Sequence, residues 1–161
     1  MMQTFSDWLA ATALSQLFAG LSWFVPVVQT VHILSIAVVV TTLGMLDLRL
    51  LRWNHRGPAL SAMAGNFIPW TWRALGVLLV SGILLIITEP SRELMNGAFR
   101  LKMLLVLLLA LLTFACQKAT AADPGYWSAS PARRRLGGVL GTASLVLCVS
   151  IVAAGRLIAY L

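Results

Sequence analysis

Charged side chains are scarce in this sequence. Asp, Glu, Lys and Arg make up 11% of its 161 residues, whereas apolar residues make up 60%. A typical soluble domain carries about a quarter charged residues. A water-soluble fold of this size could not bury so much apolar surface. The composition therefore excludes a soluble globular domain and indicates an integral membrane protein.

Motifs that would identify an enzyme or a metal protein are also missing. The two cysteines, Cys116 and Cys148, lie inside apolar segments without CxxC spacing, which argues against a disulfide framework or a zinc site. No GxxxxGK[ST] loop is present, and no nucleophile motif accompanies His32. The N-terminus lacks a basic region and contains Asp7, so we do not expect a cleaved signal peptide. These absences leave open whether the protein is an enzyme.

The balance of charge is strongly basic, with a formal net charge of +7. The basic residues nevertheless stand at the ends of apolar runs, not on a continuous face with interleaved aromatic residues. This pattern is typical of topology signals and of contacts with lipid head groups. It argues against nucleic acid as a partner.

Four apolar segments reach the length of about 20 residues that a helix needs to cross the hydrocarbon core. They predict membrane spans over residues 24–46, 68–88, 96–117 and 136–158. We therefore expect one all-α domain over residues 1–161, built as an integral membrane four-helix bundle.

A shorter helix is expected before the first span, at about residues 4–18. Several of its side chains, most of them apolar, recur at helical spacing and could share one face. They are Phe5, Trp8, Leu9, Thr12 and Ala13, with Leu17 extending the face. This pattern predicts an interfacial helix that lies on the membrane surface.

Basic residues collect in two of the connections between the spans. They are Arg49, Arg52, Arg56 and Arg73 after the first span, and Lys118 with Arg133, Arg134 and Arg135 after the third. Short loops rich in Lys and Arg remain in the cytoplasm. We therefore expect a multi-pass protein of the bacterial inner membrane, surrounded by lipid, with both termini in the periplasm.

Two polar residues are expected at the same depth in the membrane. His32 lies about 21 Å above the cytoplasmic end of the first span, and Lys102 lies about 22 Å above that of the third. Gln29, Arg100 and Arg156 are expected nearby. Because polar side chains inside a membrane are costly, this group predicts a binding site near the outer leaflet.

The chemistry of this group suits an anionic or redox-active ligand. An imidazole can ligate haem iron, which makes His32 the candidate metal ligand, and arginine or lysine suits carboxylates such as haem propionates. Haem b or a quinone is the expected cofactor. With one histidine in the spans, the sixth ligand of a haem would come from Met95, Met103, Lys102, water or a neighbouring chain. The alternatives are structural, with His32 bonding between helices and Lys102 and Arg100 snorkelling to the head groups.

The fourth span carries a seam of small residues. The seam consists of Gly137, Gly141, Ser144, Cys148 and Gly155. Small residues at this spacing let helix backbones approach closely. The seam predicts packing within the bundle or, alternatively, a surface for a homo-oligomer or a larger membrane complex.

Asp47 lies at the inner end of the first span, where Arg49, Arg52 or Arg73 could pair with it. We expect a structural ion pair there. The alternative is a carboxylate that relays protons.

Three parts of the sequence stand out together: WFVPVVQTVHILSIAVVVTTLGMLDLRLL around His32, Trp72 with Ser81-Gly82, and NGAFRLK at residues 96–102. In these parts the chain resembles a group of uncharacterised small bacterial four-helix membrane proteins. The overall arrangement is more distantly similar to the membrane domain of copper-resistance protein D and to four-helix cytochrome b proteins, although those cytochromes use several histidines. The resemblance implies a membrane redox or cofactor-binding protein. The alternative is a non-catalytic structural or accessory subunit of a larger membrane complex.

Overall fold

The computed structural model describes residues 2–51, 60–90, 94 and 96–157. Within these ranges the regular secondary structure is entirely helical. The helices are α1 (Met2–Ala10), α2 (Ala13–Ala19), α3 (Phe24–Leu50), α4 (Leu60–Thr88), α5 (Gly97–Ala122) and α6 (Pro131–Leu157), with a 3-10 helix at Tyr126–Ser128 before α6. The predicted all-α class is confirmed. The predictions made on Arg52, Arg56, Met95 and residue 158 fall outside the described residues.

Four of these helices, α3 to α6, are long and apolar enough to cross a membrane. Only 11–22% of the most hydrophobic stretch of each helix is buried inside the protein. Most apolar side chains in these stretches therefore point outward, and they need an apolar environment in place of water. The chain is a multi-pass membrane protein with a lipid bilayer around the bundle.

The helices extend beyond the predicted spans because hydropathy marks the stretch that crosses lipid, not the ends of the helix. α4 begins at Leu60 instead of 68, so Pro69 lies inside the helix and not near its start. A proline inside a helix removes the backbone bond to the carbonyl four residues earlier, here that of Gly65. Arg73, which was expected in the connection, also lies within α4, with its guanidinium carbon 5.2 Å from the centre of the Trp70 ring.

The four long helices alternate in direction because the connections between them are short. α3 packs along α4 and α6, and α6 packs along α5, whereas α4 and α5 touch little. A groove therefore opens between α4 and α5. The buried core between the helices consists of Val39, Leu43, Ala74, Leu109, Cys148 and Ile151. We call the end of the bundle that carries Lys118 and Arg133 to Arg135 the basic end.

Two hydrogen bonds between side chains join α3 to α4. Nδ1 of His32 lies 2.7 Å from Oγ of Ser81. The hydroxyl oxygens of Thr42 and Thr71 lie 2.8 Å apart, and Thr71 is fully buried. His32 and Thr42 are as many residues apart on α3 as Thr71 and Ser81 are on α4, and two antiparallel helices in a single register require this equality. These bonds fix the height of α4 against α3.

The N-terminal segment is two helices, not the single interfacial helix that we expected at residues 4–18. The chain breaks at Thr12, whose hydroxyl donates to the Leu9 carbonyl at 2.7 Å and accepts from the Ser15 amide at 3.3 Å. Thr12 is therefore the N-cap of α2 and not part of one continuous face. Polar Ser15 is buried while apolar Trp8 is 63% exposed. The two helices thus turn Ser6 and Ser15 to the bundle and their large apolar side chains outward.

The small-residue seam of α6 faces the interior of the bundle. A Cβ placed on Gly141 would lie 3.1 Å from the Asp47 carbonyl oxygen, and one on Gly137 would lie 3.1 Å from the Trp127 ring. Ser144 and Cys148 are 5% and 4% exposed. The seam packs against α3 and the 3-10 helix of its own chain, which is the first of the two roles that the sequence suggested.

Candidate functional site

His32 lies between α3 and α4 in the half of the bundle away from the basic end. Its side chain is half-buried, and its hydrogen-bond partner Ser81 is only 3% exposed. Cε1 of the imidazole would lie 3.6 Å from a Cβ placed on Gly82. The Nδ1 edge of the ring is therefore turned to the surface of α4.

The Ser81 hydroxyl determines which imidazole nitrogen carries the proton. Its oxygen lies 2.7 Å from the carbonyl oxygen of Val77, which can only accept, so the Ser81 proton points to Val77. Ser81 then accepts a hydrogen bond from Nδ1–H of His32. In the neutral ring this leaves Nε2 without a proton. Nε2 is thus the atom that can accept a hydrogen bond, take up a proton or bind a metal.

Lys102 reaches the same region from α5. Its side chain is half-buried, and its Nζ would lie 3.7 Å from a Cβ placed on Gly155 of α6. This position directs the side chain along α6 and not outward to lipid. The ammonium group also interacts electrostatically with His32. The structure therefore brings His32 and Lys102 into one region of the bundle, as their equal depth predicts.

The other predicted site residues do not share this interior position. Gln29 and Arg100 are exposed. Arg100 is two positions from Lys102, and side chains two positions apart on a helix point in different directions. Arg156, near the end of α6, is exposed as well and has interactions of its own. The expected ring of cations around His32 is therefore reduced to Lys102.

Ser81 is the member of the site whose role sequence reasoning missed. A serine in an apolar span is a weak signal, because its hydroxyl can be satisfied by a carbonyl of its own helix. Ser81 does make this bond, to Val77. Only the register of α3 against α4 shows that the same hydroxyl also holds His32.

The described residues contain no group of three His, Cys, Asp or Glu side chains that could hold a metal ion. A metal at Nε2 of His32 would need its remaining ligands from a cofactor, from water or from other residue types. The site formed by His32, Ser81 and Lys102 is better described as one hydrogen-bond acceptor beside one cation. In a medium of low dielectric constant, such a pair attracts a polar or anionic group strongly.

The carboxylate of Asp47, for which we expected an arginine partner, is buried; of the three candidates, Arg49 has interactions of its own and Arg52 falls outside the described residues. Asp47 is 5% exposed and is hydrogen-bonded to the Ser144 side chain of α6. Its Oδ2 atom has no hydrogen-bond partner among the described residues. Arg73, one of the three arginines proposed as its partner, lies over Trp70 instead. The hydrogen bond found for this buried acid is therefore to a neutral side chain.

The fold and the site together define a class of protein, a multi-pass membrane four-helix bundle with a polar site between its helices. The chain belongs to a family of unknown function, DUF6644, whose model matches residues 6–161. No curated protein and no solved structure matches the chain. The more distant likeness to copper-resistance protein D and to four-helix cytochrome b proteins stays a prediction.

Proposed function

We propose that this protein binds the polar head group of a redox-active membrane cofactor, of the quinone class, at His32 and Lys102. The observation that carries the proposal is the state of His32, whose Nδ1 is bonded to Ser81 while Nε2 is left as an acceptor. Lys102 supplies a positive charge to the same region. A polar pair inside a membrane is costly and is a functional candidate by default.

The residues fit a quinone head group better than haem b. A quinone or quinol presents oxygens on opposite sides of one ring, and these can be bound by one acceptor or donor from each of two helices. Haem b would require a second axial ligand, and the exposed Met103 points away from the interior. Lys102 could serve as that ligand only without its charge. We therefore retain haem b as the alternative cofactor and expect the quinone.

Each residue has a distinct role in the proposed site. His32 accepts a hydrogen bond or a proton at Nε2, and Ser81 holds the ring in the tautomer that makes this possible. Lys102 stabilises negative charge on the bound head group. A quinone supplies the two-electron redox chemistry when it is bound. Acceptance of the accompanying proton by His32 would link that chemistry to the surrounding solvent.

The membrane and its sidedness belong to the same proposal. The loops rich in arginine and lysine favour a bacterial inner membrane with the basic end in the cytoplasm. His32 would then lie in the outer half of the bilayer, where a quinone head group resides close to the head-group region.

The test is equilibrium binding of a short-chain ubiquinone analogue to the detergent-purified protein, measured by isothermal titration calorimetry. The analogue is used in its reduced quinol form, whose hydroxyl groups can donate to Nε2 of His32. We expect binding by the wild type, none by His32→Ala, and binding weakened by about 1–3 kcal/mol in Lys102→Met, the range for losing a charged hydrogen bond. Lys118→Met is the matched control, because Lys118 is an exposed cation on the same helix, 5.0 Å from the Phe114 ring. Wild-type protein that binds no quinone would refute the proposal, and a Soret band after haem-replete expression would assign the site to haem.

A non-catalytic accessory subunit is the second candidate function. The seam of α6 is occupied within the chain, by α3 at Gly141 and by the Trp127 ring at Gly137. One outward apolar surface open to a partner is the face of the N-terminal helices, with Phe5 53% and Trp8 63% exposed. Under this alternative, Phe5→Ser with Trp8→Ser would release the protein from a larger complex on a sizing column in mild detergent. Under the quinone proposal the two substitutions leave its size unchanged.

A further inference from the structure

A cavity of about 40 Å³ lies near the basic end, and Asp47 and Ser144 are among the residues that line it. It has room for about three water molecules, at about 10–15 Å³ each. Asp47 is 5% exposed, and its Oδ2 has no hydrogen-bond partner among the described residues. A buried carboxylate oxygen without a partner is destabilising. A small movement of the side chain would bring this oxygen to a partner in the cavity.

Two hydroxyl groups in the cavity wall direct their protons to carbonyls of their own helix. The Thr113 hydroxyl donates to the Leu109 carbonyl at 2.8 Å. The Thr120 hydroxyl donates to the Cys116 carbonyl at 2.9 Å, and accepts from Nε1 of Trp127 at 2.9 Å. These hydroxyl oxygens can therefore act as acceptors in the cavity. Two such acceptors and one carboxylate attract a species that carries positive charge or protons.

The cavity adjoins a groove on the surface of the bundle. The groove, of about 350 Å³, runs between α4 and α5, which touch little. Cavity and groove share four lining residues, which are Ala64, Ile68, Gln117 and Thr120. The groove continues to Ser61 and Pro124 at the basic end. Its position beside the cavity makes it the entry that we infer for a small hydrophilic species.

We propose that Asp47 and this cavity form a binding site for one small cation, either a proton or an alkali-metal ion, which enters through the groove from the basic end. The site is separate from His32 and does not depend on the quinone proposal. Hard cations of this kind prefer oxygen ligands, and a carboxylate with hydroxyl oxygens supplies them.

Among the residues that the structure describes, few charged and titratable groups lie near Asp47. On α3, Arg49 lies two positions along the helix, on a different side, and has interactions of its own. Cys116 of α5 and Cys148 of α6 both interact electrostatically with Asp47. The α4 residues that line the cavity, among them Ile68, carry no charge. Asp47 is therefore the source of negative potential in the cavity.

The two cysteines provide the test. Asp47 interacts electrostatically with both thiols. Cys116 lines the cavity, whereas Cys148 belongs to the closed core and is 4% exposed. Single-cysteine proteins, Cys148→Ser and Cys116→Ser, are treated with a cationic and with a neutral methanethiosulfonate reagent. We expect Cys116 to react and Cys148 to resist. In the Cys148→Ser protein, kept at alkaline pH in choline medium so that Asp47 holds neither a proton nor an alkali-metal ion, Asp47→Asn should slow the cationic reagent about fivefold, the effect of one nearby charge in water, and leave the neutral reagent unchanged.

Two further arms make the result decisive. Asp47→Glu keeps the charge, so it should retain the preference for the cationic reagent, and circular dichroism identifies any variant that fails to fold. Equal reaction of both cysteines, or an Asp47→Asn variant with an unchanged preference, would overturn the proposal.

Infrared spectroscopy then identifies the cation. A proton gives a carboxylic acid band that Asp47→Asn lacks and that sodium does not alter. If the site binds an alkali-metal ion, the carboxylic acid band appears in choline medium and is lost when sodium replaces choline. A carboxylate spectrum that responds to neither medium would also contradict the site.

Discussion

Replacement of Gly141 by alanine tests the contact on which the packing of α6 against α3 depends. The added Cβ would lie 3.1 Å from the Asp47 carbonyl oxygen and 3.3 Å from Cβ of Leu50, whereas ordinary contacts of this kind are 3.4–4 Å. One of these neighbours is backbone, so the relief must come from a shift of a helix. We expect this overpacking to destabilise the protein by about 1–3 kcal/mol.

Gly138→Ala is the matched control, three positions away on the same helix. A Cβ at Gly138 meets nothing within 4 Å, so this change brings only the gain of about 0.5–1 kcal/mol from removing a glycine inside a helix. The same gain offsets part of the loss in Gly141→Ala. The two variants should therefore differ by about 1–3 kcal/mol, with Gly138→Ala the more stable.

The assay is reversible unfolding in mixed detergent micelles, followed by far-ultraviolet circular dichroism as the fraction of dodecyl sulfate rises. Equal stability of the two variants would refute the argument, because it would mean that α6 does not approach α3 at Gly141. A stabilised Gly141→Ala protein would have the same meaning.

Two other substitutions test the bonds between α3 and α4. Ser81→Ala removes the acceptor of the His32 Nδ1–H bond, so we expect the imidazole to become a mixture of its two neutral tautomers. Nitrogen-15 chemical shifts of the ring distinguish the tautomers, and a ring that keeps one tautomer would contradict the assignment. Thr71→Val deletes a fully buried hydroxyl at nearly constant volume, and the bond to Thr42 is lost. In the same micelle assay this loss should lower the free energy of unfolding by about 0.6 kcal/mol, and by at most about 1.7 kcal/mol. No measurable loss in Thr71→Val would show that the Thr42 bond contributes nothing.

The sequence was sufficient for the helices that cross the membrane. Hydrophobic length depends on local composition, and every backbone group inside lipid must be bonded within its own helix. The four spans could therefore be predicted without any information on packing. The basic end of the bundle, with Lys118 and the three arginines at the start of α6, could be predicted in the same way. The break at Thr12 also had a local signal, since threonine is a common N-cap.

The site needed the packing of one helix on another. Depth along the membrane follows from counting residues, and it suggested that His32 and Lys102 could meet. The rotation of each helix does not follow from counting, and it turned Gln29 and Arg100 outward while it brought Ser81 to His32. The same rotation placed Ser144 beside Asp47 and left one carboxylate oxygen facing a cavity. Such pairings arise from interhelical register, which depends on contacts between residues that are far apart in the chain.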